Sequence, residues 1–369
     1  MMYLDLDKNK LNVEQKLSKF SRLYDYIIIG TGPAASVILN NLVKKKKKIL
    51  VIERGGFKKK FTENLYSDNL KIKNNSRCFG VGGTSNSWAH IYSFMSNREM
   101  CNNKNINIWP LSHKELTYWC KKVGPKYKFN TYNLKDEKIY KKKFLTRKFI
   151  ELKNPLNFSK YYLKRKFDMI TNCKVETLDE TKKINSIFFS FKHKIYSINS
   201  KKIIICAGTL ESCLLINNSV KKNKLKKLKN KRFIGRYFME HPKCYVGEIK
   251  FPRKNLIDKF KINSRGKFNF YQGLSLFKKN KRKLNTYVRF EEINSFLKLR
   301  KKILIKIFFE MEPKYRNKVY FKNNEIHIDI KVSKNETQTA NELLLEVKDF
   351  FSFKPNLEKL NLSIKNLLD

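Results

Sequence analysis

The chain has 369 residues, 41% of them hydrophobic with 28 Phe and 18 Tyr, enough apolar material for one large or two moderate domains, which excludes a disordered or fibrous protein. Its formal charge is +49, but lysine is scattered over every predicted surface beside abundant Asn, Ile, Phe and Tyr, the imprint of A+T-rich coding; no zinc finger, basic recognition helix or stacking platform is legible beside Lys44 to Lys48 or Lys221 to Lys231, so no specific nucleic-acid partner is expected. Seven cysteines without a Cys-x-x-Cys pair, and no apolar run of spanning length, predict free thiols, no membrane span, no metal site and a cytoplasmic location.

Residues 1–22 are polar and mildly amphipathic and read as an N-terminal extension. From Asp25 the pattern is sharp. Tyr26-Ile27-Ile28-Ile29 runs directly into Gly30-Thr31-Gly32-Pro33-Ala34-Ala35, and Ile49-Leu50-Val51-Ile52 ends at Glu53. This spells a strand buried on both faces, a glycine turn, a helix and a second parallel strand closed by an acid. Gly32 removes the side chain that would keep backbone from a pyrophosphate, Ala35 lets helix and strand pack closely, and the helix N-terminus aims free N–H groups at phosphate. Glu53, twenty-three residues after Gly30, stands where a carboxylate accepts both hydroxyls of an adenosine ribose. Its charge disfavours a 2′-phosphate, so FAD or NAD is expected rather than NADP.

Next comes a loop-rich stretch containing Arg77 to Ala89 with Gly82-Gly83-Thr84-Ser85. Ser112 and Glu115 form a capping box that opens a helix; Leu116, Trp119 and Cys120 mark its buried stripe, and Gly124 ends it. Residues 125–170 are basic, aromatic and poorly patterned. Strands are predicted at Cys173–Leu178, Ile184–Phe191 and Lys194–Ile198 as a meander, then at Ile203–Cys206. That last strand stops at Ala207-Gly208, and Thr209 caps a helix through Ile216, a second strand-glycine-helix unit facing the same ligand as the first. From residue 247 onward, segments including Phe268–Phe277, Leu284–Phe290, Ile303–Met311, Lys318–Phe321 and Glu325–Val332 alternate as a mainly antiparallel sheet, with Ala340–Phe351 as a helix packed on it. The predicted fold class is α/β: a doubly wound Rossmann-like domain over 23–246, with a loop-rich insertion at about 97–170, followed by a mainly antiparallel β-sheet and helix over 247–369.

Four separated blocks converge on one family. The GTGPAA turn with Glu53-Arg54-Gly55-Gly56, the Gly82-Gly83-Thr84-Ser85 loop, Ala207-Gly208-Thr209-Leu210-Glu211-Ser212, and Ile234-Gly235-Arg236-Tyr237-Phe238-Met239-Glu240-His241-Pro242 together resemble the glucose-methanol-choline flavoprotein oxidoreductases from about Leu23 to Lys243. The form Gly-Gly-Thr-Ser-Asn-Ser-Trp-Ala looks most like the branch of pyranose oxidases and sugar dehydrogenases. The resemblance implies an FAD-dependent oxidoreductase that takes hydride from CH–OH groups of small alcohols or sugars and passes electrons to an unidentified acceptor. It places Gly30, Gly32, Pro33, Ala34, Ala35, Glu53, Arg54, Gly82, Gly83, Thr84, Ser85, Trp88, Ala207 and Gly208 at the cofactor, with the backbone of Val175 against adenine; Arg77 is suited to neutralise phosphate charge. Arg236 and His241 read as structural. In this branch a histidine often precedes the tryptophan and carries the flavin covalently in some members; here that position is Ser87, so noncovalent FAD is expected.

The family's catalytic histidine, with its histidine or asparagine partner, comes from a C-terminal segment to which nothing here corresponds; no histidine follows His327. His90 is the weak candidate for a base among His90, His113, His193, His241 and His327. Two readings stand, an oxidoreductase whose C-terminal part is missing or supplied by a partner chain, and a flavin-binding or structural remnant without turnover of its own, with a basic polyanion-binding protein as a distant third.

Overall fold

A computed structural model describes residues 1–9, 12–61, 65–67, 77–88, 90–101, 109–127, 129, 138–139, 144–147, 150–151, 156–163, 166–180, 185–250, 261–265, 268–271, 273–276, 286–293, 302–323 and 325–352. The chain divides into two compact units. Unit 1 comprises Met1–Trp88, Asn157–Phe238 and Lys314–Ile330, and unit 2 comprises Ala89–Leu156, Met239–Pro313 and Lys331–Asp369.

Unit 1 is built on strands β1 (Tyr3–Asp5), β2 (Leu23–Ile29), β3 (Ile49–Ile52), β4 (Asp168–Thr171), β5 (Val175–Asp179), β6 (Asn185–Phe191) and β7 (Lys194–Ile205), in the order β1-β4-β3-β2-β7-β6-β5. The first five in that order are parallel and the last two extend the sheet antiparallel. Helix α1 (Pro33–Val43) crosses from β2 to β3, and α2 (Gly208–Lys221) follows β7. Side chains alternate across the sheet as a strand demands: Ile27 and Ile29 pack into one core with Leu50 and Ile52, while Ile28 packs into the other with Ile49 and Val51. Burial on both faces explains the uninterrupted apolar runs.

The meander and the following strand, separate in the sequence reading, are joined. β7 is one twelve-residue strand whose first half pairs antiparallel with β6 and whose second half pairs parallel with β2. Ser200 opposes both Asn185 and Tyr24, is fully buried, and its hydroxyl donates to the Lys202 carbonyl, so the polar break between Ile198 and Ile203 does not interrupt the strand. Residues 1–22, expected as an extension, supply edge strand β1 and the buried Leu4, Leu6, Val13 and Phe20. Lys318–Lys322 and Glu325–Asp329 do not join the larger antiparallel sheet; with Leu65–Ser67 they form a three-stranded sheet in unit 1, tied to the Gly235 turn by the Val319 N–H donating to the Gly235 carbonyl at 2.8 Å. Gly235 sits at φ +74°, and a Cβ there would run into the Val319 carbonyl.

In unit 2, Lys243–Lys250, Lys302–Phe308, Tyr287–Ile293, Gly273–Leu276, Phe144–Arg147 and Lys138–Ile139 form one antiparallel sheet in that order. The segment at 138–147, which sequence could not place, thus joins strands more than a hundred residues away. The helix is longer than predicted, Lys334–Ser352, and buries Ala340, Leu343, Leu344 and Val347. The Ser112 and Glu115 capping box forms, but the predicted stripe is not buried. Trp119 is 54% exposed, edge-on to Tyr118 with Lys122 over both rings, and Leu116 and Cys120 are half-buried. Gly124 keeps a helical conformation and continues into a 3-10 turn, Gly124–Tyr127. Among the described residues no helix is long and apolar enough to cross a membrane, and the seven cysteines are free thiols.

Because Leu4 is fully buried on β1, Leu4→Ala is expected to lower the unfolding free energy of unit 1 by about 2–5 kcal/mol in urea titrations, the usual range for a truncated core leucine. Exposed Lys8→Ala should leave the midpoint unchanged. Equal midpoints for the two variants would mean that residues 1–22 lie outside the core.

Candidate functional site

The C-terminal ends of β2 and β7 lie side by side, Ile29 opposite Ile205, so the two glycine turns that leave them are neighbours. Gly30 has φ +97°, and a Cβ there would collide with the Cys206 carbonyl; only glycine lets the first turn pass the second strand. Gly32 is different. Its φ of −66° suits any residue and no atom of the described residues lies within 4 Å of where its Cβ would be, so it leaves an open notch at the N-terminus of α1. No side chain caps that helix, Pro33 occupies its first turn, Ala34 is exposed, and Ala35 is buried in the core. Gly208 also leaves an open notch, at α2, with nothing among the described residues within 4 Å, but its φ of +77° by itself favours glycine. Thr209 does not cap that helix: Ala207 is the N-cap residue and no side chain serves it.

The loop at Gly82 and Gly83 closes over the first turn, an added Cβ on Gly83 lying 3.0 Å from the Gly32 Cα. Ser85 pins it, donating to the Gly82 carbonyl at 2.6 Å and accepting from the Phe158 N–H at 3.2 Å. Gly82, at φ +100°, lies against the Ser159 backbone. Thr84 and Ser87 are exposed and Trp88 is half-buried at the end of the loop. The 3-10 turn Phe158–Tyr162 that supports this loop came from the unpatterned region and carried no sequence signal. Its Tyr162 hydroxyl meets the Ser36 hydroxyl of α1 at 3.0 Å.

Glu53 ends β3 and is buried. Its Oε2 accepts from the Thr31 hydroxyl at 2.5 Å, its Oε1 accepts from the Gly55 N–H at 2.9 Å and the Gly80 N–H at 3.3 Å, and the Thr31 backbone N–H also bonds to it. A carboxylate has about four acceptor positions, so protein donors already account for them. The structure thus makes Glu53 the knot of the first turn and the Gly80 loop; a ribose hydroxyl would have to share or replace one of these donors. Thr31, absent from the predicted site, is the other half of the knot, since its Oγ1 also accepts from the Gly82 N–H at 3.0 Å.

Arg54 and Arg77 converge on a residue that sequence did not single out as part of the site. Glu211, in the first turn of α2, takes Arg54 Nη1 on one carboxylate oxygen and Arg77 Nη1 on the other, each at 2.9 Å. Both guanidinium groups lie over the Phe79 ring, Arg54 at 3.9 Å and Arg77 at 5.9 Å from its centroid. Arg77 Nε is buried without a hydrogen-bond partner. Burial, opposed by Glu211 and aided by Arg54, holds the Arg77 pKa below the ordinary guanidinium value. Lys174, lowered chiefly by burial and then by Arg54, adds a third cation. An acid three residues into a helix that opens on glycine was the available clue to Glu211. Val175 opens β5, two residues beyond Cys173, whose N–H donates to the Glu53 carbonyl at 3.0 Å, so unit 1 brings Val175 to the same sheet end as the turns.

Unit 1 does not bring His90 into this group, because His90 belongs to unit 2, where it is half-buried at φ +60°. His113 contacts the Met95 carbonyl and His241 contacts Glu240, both within unit 2. Within unit 1, His193 lies in the β6–β7 turn and His327 is stacked between Tyr66 and Tyr320. Among the described residues no group of three or more His, Cys, Asp or Glu is placed to hold a metal ion.

Burial raises the Glu53 pKa above the ordinary carboxylate value, overcoming the hydrogen bonds that lower it. A folded-state pKa above the unfolded one stabilises the fold while the group is neutral, below the ordinary value of 4.5, and that contribution is lost as pH rises through the folded value. The difference in urea midpoint between Glu53→Gln and the native chain should therefore move in favour of the variant as pH rises above 4.5. A gap that moves the other way would show that the charged carboxylate is the stabilised form.

No family model and no curated protein matches the sequence. Solved structures do. Over 94% of this chain and 86% of the other, the fold is similar to that of pyridoxine 4-oxidase from Mesorbium loti, with 12% identity and a TM-score of 0.56. A fungal aryl-alcohol oxidase aligns over 64% of this chain and 54% of its own, with 11% identity and a TM-score of 0.42. The chain therefore has the mixed α/β fold of pyridoxine 4-oxidase, with a parallel-sheet core and separate antiparallel sheets.

Proposed function

We propose that unit 1 binds FAD noncovalently and that the protein is an FAD-dependent oxidoreductase of the glucose-methanol-choline type acting on CH–OH groups of alcohols or sugars. The observation that carries this is the pair of open glycine notches, at Gly32 and Gly208, on adjacent strand ends beside an uncapped helix N-terminus. A pyrophosphate fits such a cradle because backbone N–H groups and the helix dipole meet its charge where no Cβ intervenes. The similarity in fold to pyridoxine 4-oxidase supports the reading at the level of architecture.

In this arrangement Gly32, Pro33 and Ala34 hold the pyrophosphate, and Gly82 with Gly83 covers it. Ala207 and Gly208 leave room along the dinucleotide, and the Val175 backbone borders the adenine. Glu53 orients the ribose by replacing one of its present donors, and Thr31 keeps that carboxylate turned toward the loop. Arg54 and Arg77, held by Glu211, leave unit 1 with an excess of positive charge at this end through Lys174. Trp88 closes the loop, and Ser87 offers no imidazole for a covalent link. When bound, FAD supplies an acceptor for two electrons as hydride. The alcohol proton needs a base from this chain or a partner.

A second reading, flavin binding without turnover by this chain alone, is favoured by the placement of the histidines. Neither His193 nor His327 lies on the glycine loops of unit 1. His90 is then the base to test.

Gly32→Val puts a Cβ where no atom of the described residues lies within 4 Å and two methyl groups beyond it, so it should weaken FAD binding at least tenfold in ultrafiltration assays, and Gly32→Ala, which adds the Cβ alone, should leave the urea midpoint unchanged. Acid precipitation of the holoprotein should release all flavin to the supernatant; flavin in the pellet, or undiminished binding by Gly32→Val, would sink the proposal. With FAD saturating, dye reduction with pyranoses, simple alcohols and choline should be slower by about 10²- to 10⁴-fold than with a positioned base. Fast turnover abolished by His90→Ala would discard the second reading.

A further inference from the structure

We propose that a surface of unit 1 formed by Lys221–Tyr237 and Tyr315 binds single-stranded nucleic acid without sequence preference. The lysine run, taken by itself, is an ordinary solvated surface. What changes its meaning is a set of aromatic rings that folding brings beside it from a separate part of the chain.

The stretch from Lys221 to Arg236 holds nine lysines and arginines, both ends included, and no acidic residue occurs between Glu211 and Glu240. Lys221, Lys222, Lys226, Lys227, Lys229, Lys231 and Arg232 are all exposed. The acids that face this stretch from β5 and the residue after it are Asp179, 3.8 Å from Lys224, and Glu180, which accepts from the Lys227 backbone N–H. Together they offset a small part of the charge. Immediately after the run, Phe233, Tyr237 and Tyr315 make a mutual cluster, with ring centroids 5.9, 6.3 and 5.6 Å apart. They remain 36%, 42% and 45% exposed. Arg232 lies over the Phe233 ring at 4.8 Å and Arg236 over the Tyr315 ring at 4.6 Å.

The three rings form one partly exposed aromatic patch that directly adjoins the long acid-free basic run. The two guanidinium groups over the rings favour a π-bearing anion over an aliphatic surface, since they offer charge and planar stacking together. Single-stranded nucleic acid presents unstacked base faces and a phosphate backbone, which are the complements of these two features. A duplex hides its base faces, and inorganic polyanions have none. Tyr315 is 78 residues beyond Tyr237, so this platform is invisible in a sequence scan for basic runs interleaved with aromatics.

The test uses the full chain, a fluorescent fifteen-nucleotide oligo(dT) and an abasic deoxyribose-phosphate oligomer of the same length and charge, compared by anisotropy. The native chain is expected to bind oligo(dT) at least tenfold more tightly than the abasic oligomer. Phe233→Leu, Tyr237→Leu and Tyr315→Leu should each weaken oligo(dT) by about 5- to 150-fold while leaving the abasic oligomer unaffected. Replacing Lys226, Lys227 and Lys229 together by Gln should weaken both ligands and flatten the log–log salt dependence by about 2, at roughly 0.7 per phosphate contact. Equal binding of the two oligomers by the native chain would overturn the proposal in favour of plain polyanion attraction, and no binding of either would overturn it outright. Ring-dependent binding to phosphatidylserine vesicles with no preference for oligo(dT) would assign the rings to a membrane instead. The native comparison is decisive even where a ring variant fails to fold.

Discussion

A buried carboxylate without a cation holds the end of the central sheet together. Among the described residues, Glu53 pairs with no lysine or arginine; it is surrounded by the Thr31 hydroxyl and by backbone N–H groups of three separate turns. Hydrogen bonds to an ionised acceptor are about twice as strong as neutral ones, and they offset part of the desolvation that burial imposes. The first glycine turn, the start of the Gly80 loop and the exit of β3 are thereby fixed to one group. Removing the carboxylate would leave several buried donors unsatisfied at once, so Glu53 contributes through the shape of the turns as much as through any ligand.

Around that knot, geometry leaves little freedom. β2 and β7 must lie adjacent and parallel for their two turns to meet, and Gly30 is required because the Cys206 carbonyl occupies the place of a side chain. Gly32 faces open space among the described residues, so its need for glycine comes from whatever enters, whereas Gly208 is also held to glycine by its own left-handed backbone. The same letter in the sequence therefore records two different constraints, one internal and one external. Arg54 and Arg77 add a third element: by gripping Glu211 they tie the start of α2 to the strand end that carries Glu53.

Much of this was legible. The apolar run before Gly30, the acid at Glu53 and the second strand before Gly208 located the parallel core, because burial on both faces leaves a strong local pattern. What sequence missed depended on distance. The support that Phe158–Tyr162 gives the glycine loop lies in a region with no periodicity, and Glu211 matters only because two arginines from other turns reach it. Trp119 misled because an amphipathic helix shows which side is apolar but not how deeply that side is covered. The strands at 318–329 were read as a continuation of the second sheet because alternation reveals a strand without naming its neighbours. Their partner, Leu65–Ser67, comes from more than 250 residues earlier.

The twelve residues of β7 carry a consequence for how this chain tolerates change. Ser200 stands opposite Asn185 on one side and Tyr24 on the other, so one strand sets the phase of both halves of the sheet. A single inserted or deleted residue within Lys194–Ile205 would turn every side chain beyond it to the wrong face and carry the Ala207–Gly208 turn with it. Length variation among kindred sequences should therefore collect at the Lys192–His193 turn and spare the strand, making β7 a ruler against which distant homologues can be aligned when their residues no longer agree.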